Sequence, residues 1–148
     1  MLPQAYCTDA VRARIALIAQ SYARLLGRPL VDRADDVVAA LWQAPLAILA
    51  HDTQADPVFF FGNRAALAAF ECGVDAFLQM PSRLSAEAPL RAERQALLDR
   101  VSTQGFIDDY AGIRISATGR RFRIENAVVW NLVDDAGVRH GQAAAFAV

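Results

Sequence analysis

The chain has 148 residues, of which 55% are hydrophobic, and it carries a formal net charge of −1. This length is enough for one domain with a hydrophobic core, and the composition is that of a globular protein rather than a disordered one. A charge so close to zero argues against electrostatic binding to nucleic acid or to an anionic membrane.

Two helices are predicted in the first third of the chain. Thr8 is a good N-cap for a helix that ends near Leu26, where Gly27 follows. Apolar residues recur along this helix at helical spacing, namely Val11, Ile15, Ile18, Tyr22 and Leu25. A second, shorter helix is predicted from about residue 35 to residue 44, and it would place Trp42 in the core.

The middle of the chain predicts two buried strands followed by helices. Residues 46–50 and 58–61 are short apolar runs with a polar connection between them. Asn63 is well placed to cap a helix over residues 64–70. A further helix is predicted to begin at Ser85 or Ala88, with Pro89 in its first turn, and to end at Gly105; its buried side would consist of Leu90, Leu97, Leu98 and Val101.

Three strands are predicted after residue 105, separated by turn signals at Thr118-Gly119 and at residues 134–137. A two-residue loop at Thr118-Gly119 would pair Ile115 with Phe122, Ile113 with Ile124, and Ile107 with Trp130. The same register places Asp109 and Asn126 on the apolar face of Trp130. In the last strand either Gly141 or Gln142 would lie opposite Trp130.

The order of helices, two strands, helices and three strands predicts an α+β fold, in which an antiparallel sheet has its helices on one face. The outward side of strand 122–133 still carries Ala127, Val129 and Val133. Such residues need a cover, and we expect the amphipathic N-terminal helix to supply it.

Several short motifs occur in a characteristic order, and together they resemble the MEKHLA-domain family within the PAS superfamily. They are His51-Asp52, Asn63 with Ala65-Ala66-Leu67, Pro81-Ser82-Arg83, Tyr110-Ala111-Gly112, Ala127-Val128-Val129-Trp130 and Gly141-Gln142-Ala143-Ala144. The chain is most similar to the stand-alone bacterial members. The resemblance divides it into an N-terminal helical extension, residues 1–32, and a PAS-like MEKHLA domain, residues 33–148.

The resemblance implies a PAS-like five-stranded antiparallel sheet, with the second strand at one edge and residues 106–116 at the other. It also implies sensing or partner binding. In plants this domain ends class III homeodomain–leucine zipper transcription factors, but the chain shows no homeodomain, zipper or basic region, so we expect no DNA binding. The surroundings of Cys72, His51 and His140 do not match known flavin or haem signatures, so the cofactor is unknown.

No catalytic or metal-binding motif stands out, so we expect no enzyme and no metal site. His51 beside Asp52 has the form of an oriented base but lacks a nucleophile; the alternative is a strand-end histidine bonded to a loop. Arg114 and Arg123 would face each other across the hairpin near Glu125, as an ion-pair group on the outer face or, alternatively, as an anion site.

Five residues are candidates for a ligand pocket: His51, Arg83, Asp109, Asn126 and Trp130. Arg83 lies in a loop that, by the resemblance, edges the PAS cavity, and the alternative is a surface ion pair. Asp109 and Asn126 are polar groups on a predicted interior face, and these need partners. Either they satisfy loops and helix ends in a filled core, or they line a pocket beside Trp130 and contact a ligand.

The leading hypothesis is a PAS-like sensory or regulatory domain that binds a small molecule or mediates homo-oligomeric or partner contacts. The alternative is a structural interaction module with a filled core and no ligand. We expect a homodimer, whose interface uses the stripe of Val11, Ile15, Ile18 and Tyr22. The longest apolar runs are too short to cross a bilayer and the N-terminus has no signal-peptide pattern, so we expect a cytoplasmic protein with reduced Cys7 and Cys72.

Overall fold

The computed structural model describes residues 2–87 and 91–148. Five helices and five strands follow in the order α1 (Asp9–Leu26), α2 (Val37–Gln43), β1 (Ala47–His51), β2 (Phe59–Gly62), α3 (Arg64–Phe70), α4 (Val74–Phe77), α5 (Arg91–Gln104), β3 (Phe106–Ile115), β4 (Arg121–Val133) and β5 (Arg139–Phe146). Two short 3-10 turns, Gln4–Tyr6 and Ser82–Ser85, complete the described elements. The α+β class is confirmed.

The strands form one antiparallel sheet with the order β2-β1-β5-β4-β3. The predicted topology is therefore confirmed, since β1 neighbours the C-terminal strand and β2 and β3 are the edges. Helices α3, α4 and α5 pack on one face, and α1 and α2 cover the other. Because α1 shares its core with the sheet, the sheet is buried on both sides.

The predicted helix ends agree with the structure. The Val11 backbone N–H donates to Oγ1 of Thr8 at 3.3 Å, which caps α1, and Gly27 ends that helix. Asn63 caps α3 in the same way, with the Ala66 N–H donating to its side-chain oxygen at 3.0 Å. Such caps satisfy N–H groups that have no partner inside the helix.

The start of α5 can be compared with its prediction only in part. Ser85 belongs to a 3-10 turn, while Ala88 and Pro89, and with them Leu90, lie outside the described residues. Downstream the prediction is confirmed, because Leu97 and Val101 are buried and Gly105 follows the last helical residue. Leu98 is half-buried.

The β3–β4 hairpin has a three-residue loop, so its predicted two-residue loop is wrong. The Ser116 N–H donates to the Arg120 carbonyl at 2.9 Å, and the Gly119 N–H donates to the Ser116 carbonyl at 3.0 Å. Gly119 has a φ of +91°, which suits the left-handed position that ends such a loop. The extra residue shifts the register by one, so Phe122 lies opposite Arg114.

A bulge in β4 reverses which residues face each side of the sheet. Asn126 has a φ of +52°, and the pairing with β3 is irregular beside it. Before the bulge Ile124 faces α3; after it Val129 faces α5, whereas Trp130 faces α1. The predicted interior positions of Asp109 and Asn126 are therefore wrong, and both residues are exposed.

The register of β5 also differs from both predicted alternatives. Trp130 lies opposite Ala143, while Gly141 lies opposite Leu132 and Gln142 opposite Asn131. Gln142 is paired on its other side with His51 of β1. The polar side chains of three neighbouring strands are thus brought together at one end of the sheet.

The apolar stripe of α1 packs on the sheet of its own chain. Ile15 and Ile18 are fully buried, and the Trp130 indole N–H donates to the Ile18 carbonyl at 3.1 Å. The Tyr22 ring meets the Trp130 ring edge-on, with the centroids 4.9 Å apart. The predicted cover of this face by α1 is confirmed, but the covered residues differ: Val128 and Trp130 pack in the core shared with α1, while Ala127 and Val129 face the helices on the other side. The stripe of α1 is thus used within its own chain. The homodimer stays a prediction, and its predicted interface on Ile15 is wrong.

A cavity between the sheet and helix α5

A cavity of about 50 Å³ lies between the sheet and α5. Its apolar wall comes from β1, β2, β4, β5, α3 and α5, and includes Leu49, Phe59, Phe70, Leu97, Ile124 and Phe146. Its polar wall consists of His51, Ser85, Arg94, Tyr110, Arg114 and Gln142. A volume of this size has room for a few water molecules or for a ligand of a few non-hydrogen atoms.

Arg114 reaches this cavity from β3. The side chains of Tyr110 and Arg114 both lie on the helix side of the sheet, where they line the cavity. Arg114 is only 8% exposed. Its Nη2 atom donates to the Tyr110 hydroxyl, and its Nη1 atom donates to the Ile113 carbonyl at 3.1 Å. The Tyr110 ring lies across Gly112, where any Cβ atom would collide with the hydroxyl. Glycine at this position therefore lets tyrosine hold the arginine in place.

The predicted group of Arg114, Arg123 and Glu125 is thus divided between two surfaces. Nε of Arg123 contacts Oε1 of Glu125 at 2.8 Å, and both side chains are exposed. Arg114 faces the cavity instead, because the three-residue loop moves β3 by one position against β4. The predicted ion pair on the outer face is therefore correct for Arg123 and Glu125 and wrong for Arg114.

Arg94 enters the cavity from α5 and is 9% exposed. It lies three residues before Leu97 and seven before Val101, so all three share the buried stripe of the helix. Among the residues described, it makes no side-chain hydrogen bond and no ion pair within 4.0 Å. Burial lowers the pKa of Arg94 to about 10, and the positive charge of Arg114 acts in the same direction. The side chain is still cationic at neutral pH.

His51 lies at the end of β1 and borders the same cavity. Its Nδ1 atom is 2.9 Å from the Asp52 carbonyl oxygen, which agrees with a strand-end histidine bonded to a loop. Because a carbonyl only accepts, Nδ1 carries the proton and Nε2 is left as an acceptor. Nε2 is buried and lacks a partner within the described structure. Burial lowers the pKa of His51 to about 4, so the ring is neutral at pH 7.

Gln142 stands beside His51 on β5. Its Nε2 atom donates to Asn131 Oδ1 at 3.1 Å, to Ser102 Oγ at 3.1 Å and to the Leu98 carbonyl at 3.3 Å. These contacts fix the amide so that Oε1 is the free end, and Oε1 is buried without a partner in the described part of the chain. The cavity therefore contains two unsatisfied acceptors next to a buried cation.

An open cleft of about 390 Å³ adjoins this polar end. It shares His51, Arg94, Leu98 and Gln142 with the cavity, so these four residues border both spaces. Arg83 lies on the cleft, where its Nε atom contacts Oδ1 of Asp56 at 3.1 Å. Arg83 thus forms the surface pair that was the alternative to ligand contact.

The sequence matches the model of the MEKHLA domain over residues 12–148. The chain belongs to the MEKHLA-domain family. The rice homeobox-leucine zipper protein HOX29 (Oryza sativa subsp. indica) is 31% identical over 130 residues, which are 83% of this MEKHLA domain and 15% of that protein. The chain thus spans about one seventh of the length of this relative. The match begins inside α1; the predicted boundary at residue 33 stays a prediction.

Solved structures that share this fold include PAS and light-oxygen-voltage (LOV) proteins. An RNA-binding light-oxygen-voltage receptor superposes with a TM-score of 0.62 at 18% identity, over 74% of this chain and 31% of that one. A PAS domain from Colwellia psychrerythraea gives a TM-score of 0.60 at 15% identity, over 74% and 91%. The PAS-like fold is confirmed. The similar homeobox-leucine zipper proteins come from rice and Arabidopsis thaliana. The predicted similarity to stand-alone bacterial members is not borne out by these relatives.

Of the five predicted pocket residues, this MEKHLA domain brings His51 to the cavity and Arg83 to the adjoining cleft. Asp109 borders a separate open cleft between α5 and β3, and Asn126 is the bulge residue of β4. Trp130 is fully buried on the α1 side of the sheet. Arg94 and Gln142 also line the cavity and were not among the predicted pocket residues. An arginine on the apolar stripe of α5 was the available signal for Arg94.

Two absences concern the described residues only. In the ranges 2–87 and 91–148, no group of three or more His, Cys, Asp and Glu side chains could hold a metal ion. Over the same ranges, no helix is both long and apolar enough to cross a membrane. Cys7 is exposed and Cys72 half-buried, and both are free thiols.

Replacing His51 with glutamine is expected to make the stability of this MEKHLA domain less sensitive to acid. The pKa of His51 is about 4 in the folded chain and about 6.5 when unfolded, so the unfolded state takes up the proton first as pH falls. The contribution of the neutral His51 ring to the free energy of unfolding is fully present above pH 6.5 and is lost as the pH falls towards 4. Between pH 7 and pH 5 the wild type should lose about 2 kcal/mol more than the variant.

Denaturant unfolding at both pH values measures this difference. The charged groups that act on the ring are Arg94 and Arg139, which disfavour its protonation, and Asp52, which favours it. Equal acid sensitivity of wild type and His51→Gln would contradict the buried, neutral state of the ring.

Proposed function

We propose that this MEKHLA domain is a sensory or regulatory domain whose cavity between the sheet and α5 binds a small molecule. One observation carries the proposal: Nε2 of His51 and Oε1 of Gln142 are buried beside the cavity without partners. A buried polar atom left unpaired costs about 1–3 kcal/mol, and the great majority in folded proteins are paired. A bound molecule that donates to these two atoms would remove the cost.

The position of the cavity supports a regulatory role. His51 and Gln142 are paired residues of β1 and β5, and their neighbours Ala50 and Ala143 lie on the opposite face, in the core shared with α1. A ligand that moves these strands would also move the surface on which α1 rests. Occupancy of the cavity would then change the outer surface of α1, where a protein partner or a second copy could respond. No catalytic step is part of this proposal.

The second candidate is an interaction module without a ligand. The small volume of the cavity favours it, because about 50 Å³ can be filled by water. Ordered water bonded to His51 and Gln142 would then complete the core. The two candidates differ in one observable property. Only the first binds a compound that is displaced when a larger side chain fills the cavity.

Filling the cavity is expected to abolish ligand binding without harming the fold. Ala144 borders the cavity from β5, and Ala144→Val adds two methyl groups in a β-branched side chain that suits a strand. Native mass spectrometry of the purified wild type should show a bound small molecule. That bound mass should be lost in Ala144→Val, with an unfolding free energy within about 1.5 kcal/mol of the wild-type value.

Ala147→Val is the matched control, since Ala147 is exposed just beyond β5. It should bind as the wild type does. A bound mass that is the same in Ala144→Val and in wild type would place the ligand elsewhere, and the absence of any bound molecule in wild type would favour the interaction module.

A further inference from the structure

We propose that the cavity is a site for a small carboxylate that also carries a hydroxyl or N–H donor, with Arg94 and Arg114 as the anion-binding residues. This inference rests on the proposed function and specifies its ligand class. Neither the family match nor the fold names a ligand of this chemistry. The inference is carried by two buried guanidinium groups without a carboxylate nearby, by two unpaired acceptors on residues that line the cavity, and by the size of the cavity.

Two guanidinium groups face one small cavity without an acid to neutralise them. In the described residues, neither Arg94 nor Arg114 has a carboxylate within 4.0 Å, whereas ion pairs such as Arg83 with Asp56 lie on the surface. The residues outside the described ranges are Met1, Ala88, Pro89 and Leu90, none of which has a carboxylate side chain. The one carboxylate that acts on the pKa of Arg114 among the described residues is that of Glu93, which raises it.

Buried charges in proteins are normally paired, because removing an ion from water is costly. Here burial lowers the pKa of both arginines, and the positive charge of Arg114 lowers the pKa of Arg94 further. An anion between them would relieve both effects at once. Among the described residues, the lining of the cavity therefore includes two cationic side chains and no carboxylate.

The arginines also suit a carboxylate in shape. A guanidinium group is planar and donates through a rigid fork that matches the two oxygens of a carboxylate. Tyr110 and the Ile113 carbonyl hold Arg114 in one orientation, with the guanidinium carbon 5.1 Å from the Tyr110 ring centroid. Arg94 makes no side-chain hydrogen bond to the described residues.

The other polar atoms require donors from the ligand. Nε2 of His51 and Oε1 of Gln142 are both acceptors, and they lie on paired residues of β1 and β5. A simple carboxylate would leave them unsatisfied, whereas a hydroxyl beside the carboxylate can donate to one of them. The apolar wall of Leu49, Phe59 and Leu97 accepts a short alkyl group. A 2-hydroxy acid of about six non-hydrogen atoms combines these three properties.

Three probes of nearly the same shape are compared: lactate, propionate and propionamide. Propionate lacks the hydroxyl of lactate. Propionamide replaces the charge of propionate by an amide whose N–H groups can still donate to the free acceptors, so weaker binding of propionamide reports the loss of charge. Isothermal titration calorimetry on the wild type should give the tightest binding for lactate, with propionate at least about tenfold tighter than propionamide. His51→Phe, which removes one acceptor, should reduce the advantage of lactate over propionate.

Arg94→Met is the decisive variant, because it should remain folded. Methionine fills a similar volume without charge, so the ligand-free variant should be at least as stable as wild type in denaturant unfolding. It should bind lactate and propionate at least about tenfold more weakly, with little change for propionamide. Arg83→Met, which removes an exposed arginine of the adjoining cleft, should bind all three probes as wild type does.

The outcomes separate this inference from the proposed function. Propionamide binding as tightly as propionate, or lactate binding unchanged in Arg94→Met, would overturn the carboxylate site and leave the cavity proposal intact. Failure of all three probes would also overturn it, even where native mass spectrometry shows another molecule that Ala144→Val displaces. If the molecule bound to wild type stays bound in Ala144→Val, the cavity proposal itself is overturned.

Discussion

Replacing Trp130 with alanine is expected to lower the free energy of unfolding by about 3–5 kcal/mol, a large part of the 5–15 kcal/mol typical of a domain. Trp130 is 0% exposed, and its ring packs edge-on against Tyr22. Its indole N–H also supplies the hydrogen bond to the Ile18 carbonyl. The substitution therefore leaves a cavity between α1 and the sheet and removes one polar contact as well.

Urea unfolding followed by circular dichroism measures this loss. Trp130→Phe should cost less, since it keeps an aromatic ring and loses mainly the hydrogen bond. Val138→Ala is a control at an exposed position and should change stability by no more than about 0.5 kcal/mol. A Trp130→Ala protein as stable as wild type would refute the packing of α1 on β4.

Asn63→Ala is expected to cost about 3–4 kcal/mol, far more than an ordinary helix cap. The side chain of Asn63 is fully buried and makes four hydrogen bonds. Its Oδ1 atom accepts from the N–H groups of Ile48 and Ala66, both at 3.0 Å. Its Nδ2 atom donates to the carbonyls of Leu41 at 3.0 Å and Leu46 at 2.9 Å. Alanine would remove all four bonds, and of the four backbone groups the Leu41 carbonyl would keep the Ala44 N–H at 3.4 Å.

Two comparisons divide this cost into its parts. Asn63→Asp keeps the acceptor for the Ala66 N–H but loses both donors and introduces a buried charge, so it should be no more stable than Asn63→Ala. Thr8→Ala removes a cap at an exposed helix start and should cost only about 1 kcal/mol. Similar losses for Asn63→Ala and Thr8→Ala would show that Asn63 is a cap and nothing more.

Features set by local chemistry could be predicted from the sequence. Thr8 and Asn63 have side chains that compete for nearby N–H groups, so they mark helix starts wherever the helix packs. The stripe of Ile15 and Ile18 follows the helical period and predicted a buried face. Strand order followed from the resemblance to a known fold, which fixes topology without fixing register.

Register depended on details that the sequence pattern leaves open. Thr118-Gly119 is compatible with a two-residue loop, and also with a three-residue loop in which Gly119 takes the last position. The bulge at Asn126 has no strong signal either, since asparagine is common in turns and caps. Each shifts the alternation by one residue, and this is why Asp109 was assigned to the interior and Arg114 to the outside.

The cavity depended on register, so its residues were the hardest to predict. Arg114 and Gln142 take their positions from the hairpin loop and from the pairing of β5. His51 was found because it ends a strand beside an acidic residue, although its ring is bonded to the Asp52 carbonyl and not to the carboxylate. Arg94 could have been predicted from the helical period of α5 alone, because that period places it on the same face as Leu97 and Val101.

The attachment of α1 also sets the order in which the chain can fold. Its polar contacts join residues 112 positions apart, from Ile18 to Trp130 and from Ser21 to Val133. During synthesis α1 is therefore made long before β4, and its apolar stripe lacks Trp130 and Leu132 of its core until that strand exists. Contacts so distant in sequence slow folding. In the cell, this interval is when the nascent domain most needs protection from aggregation.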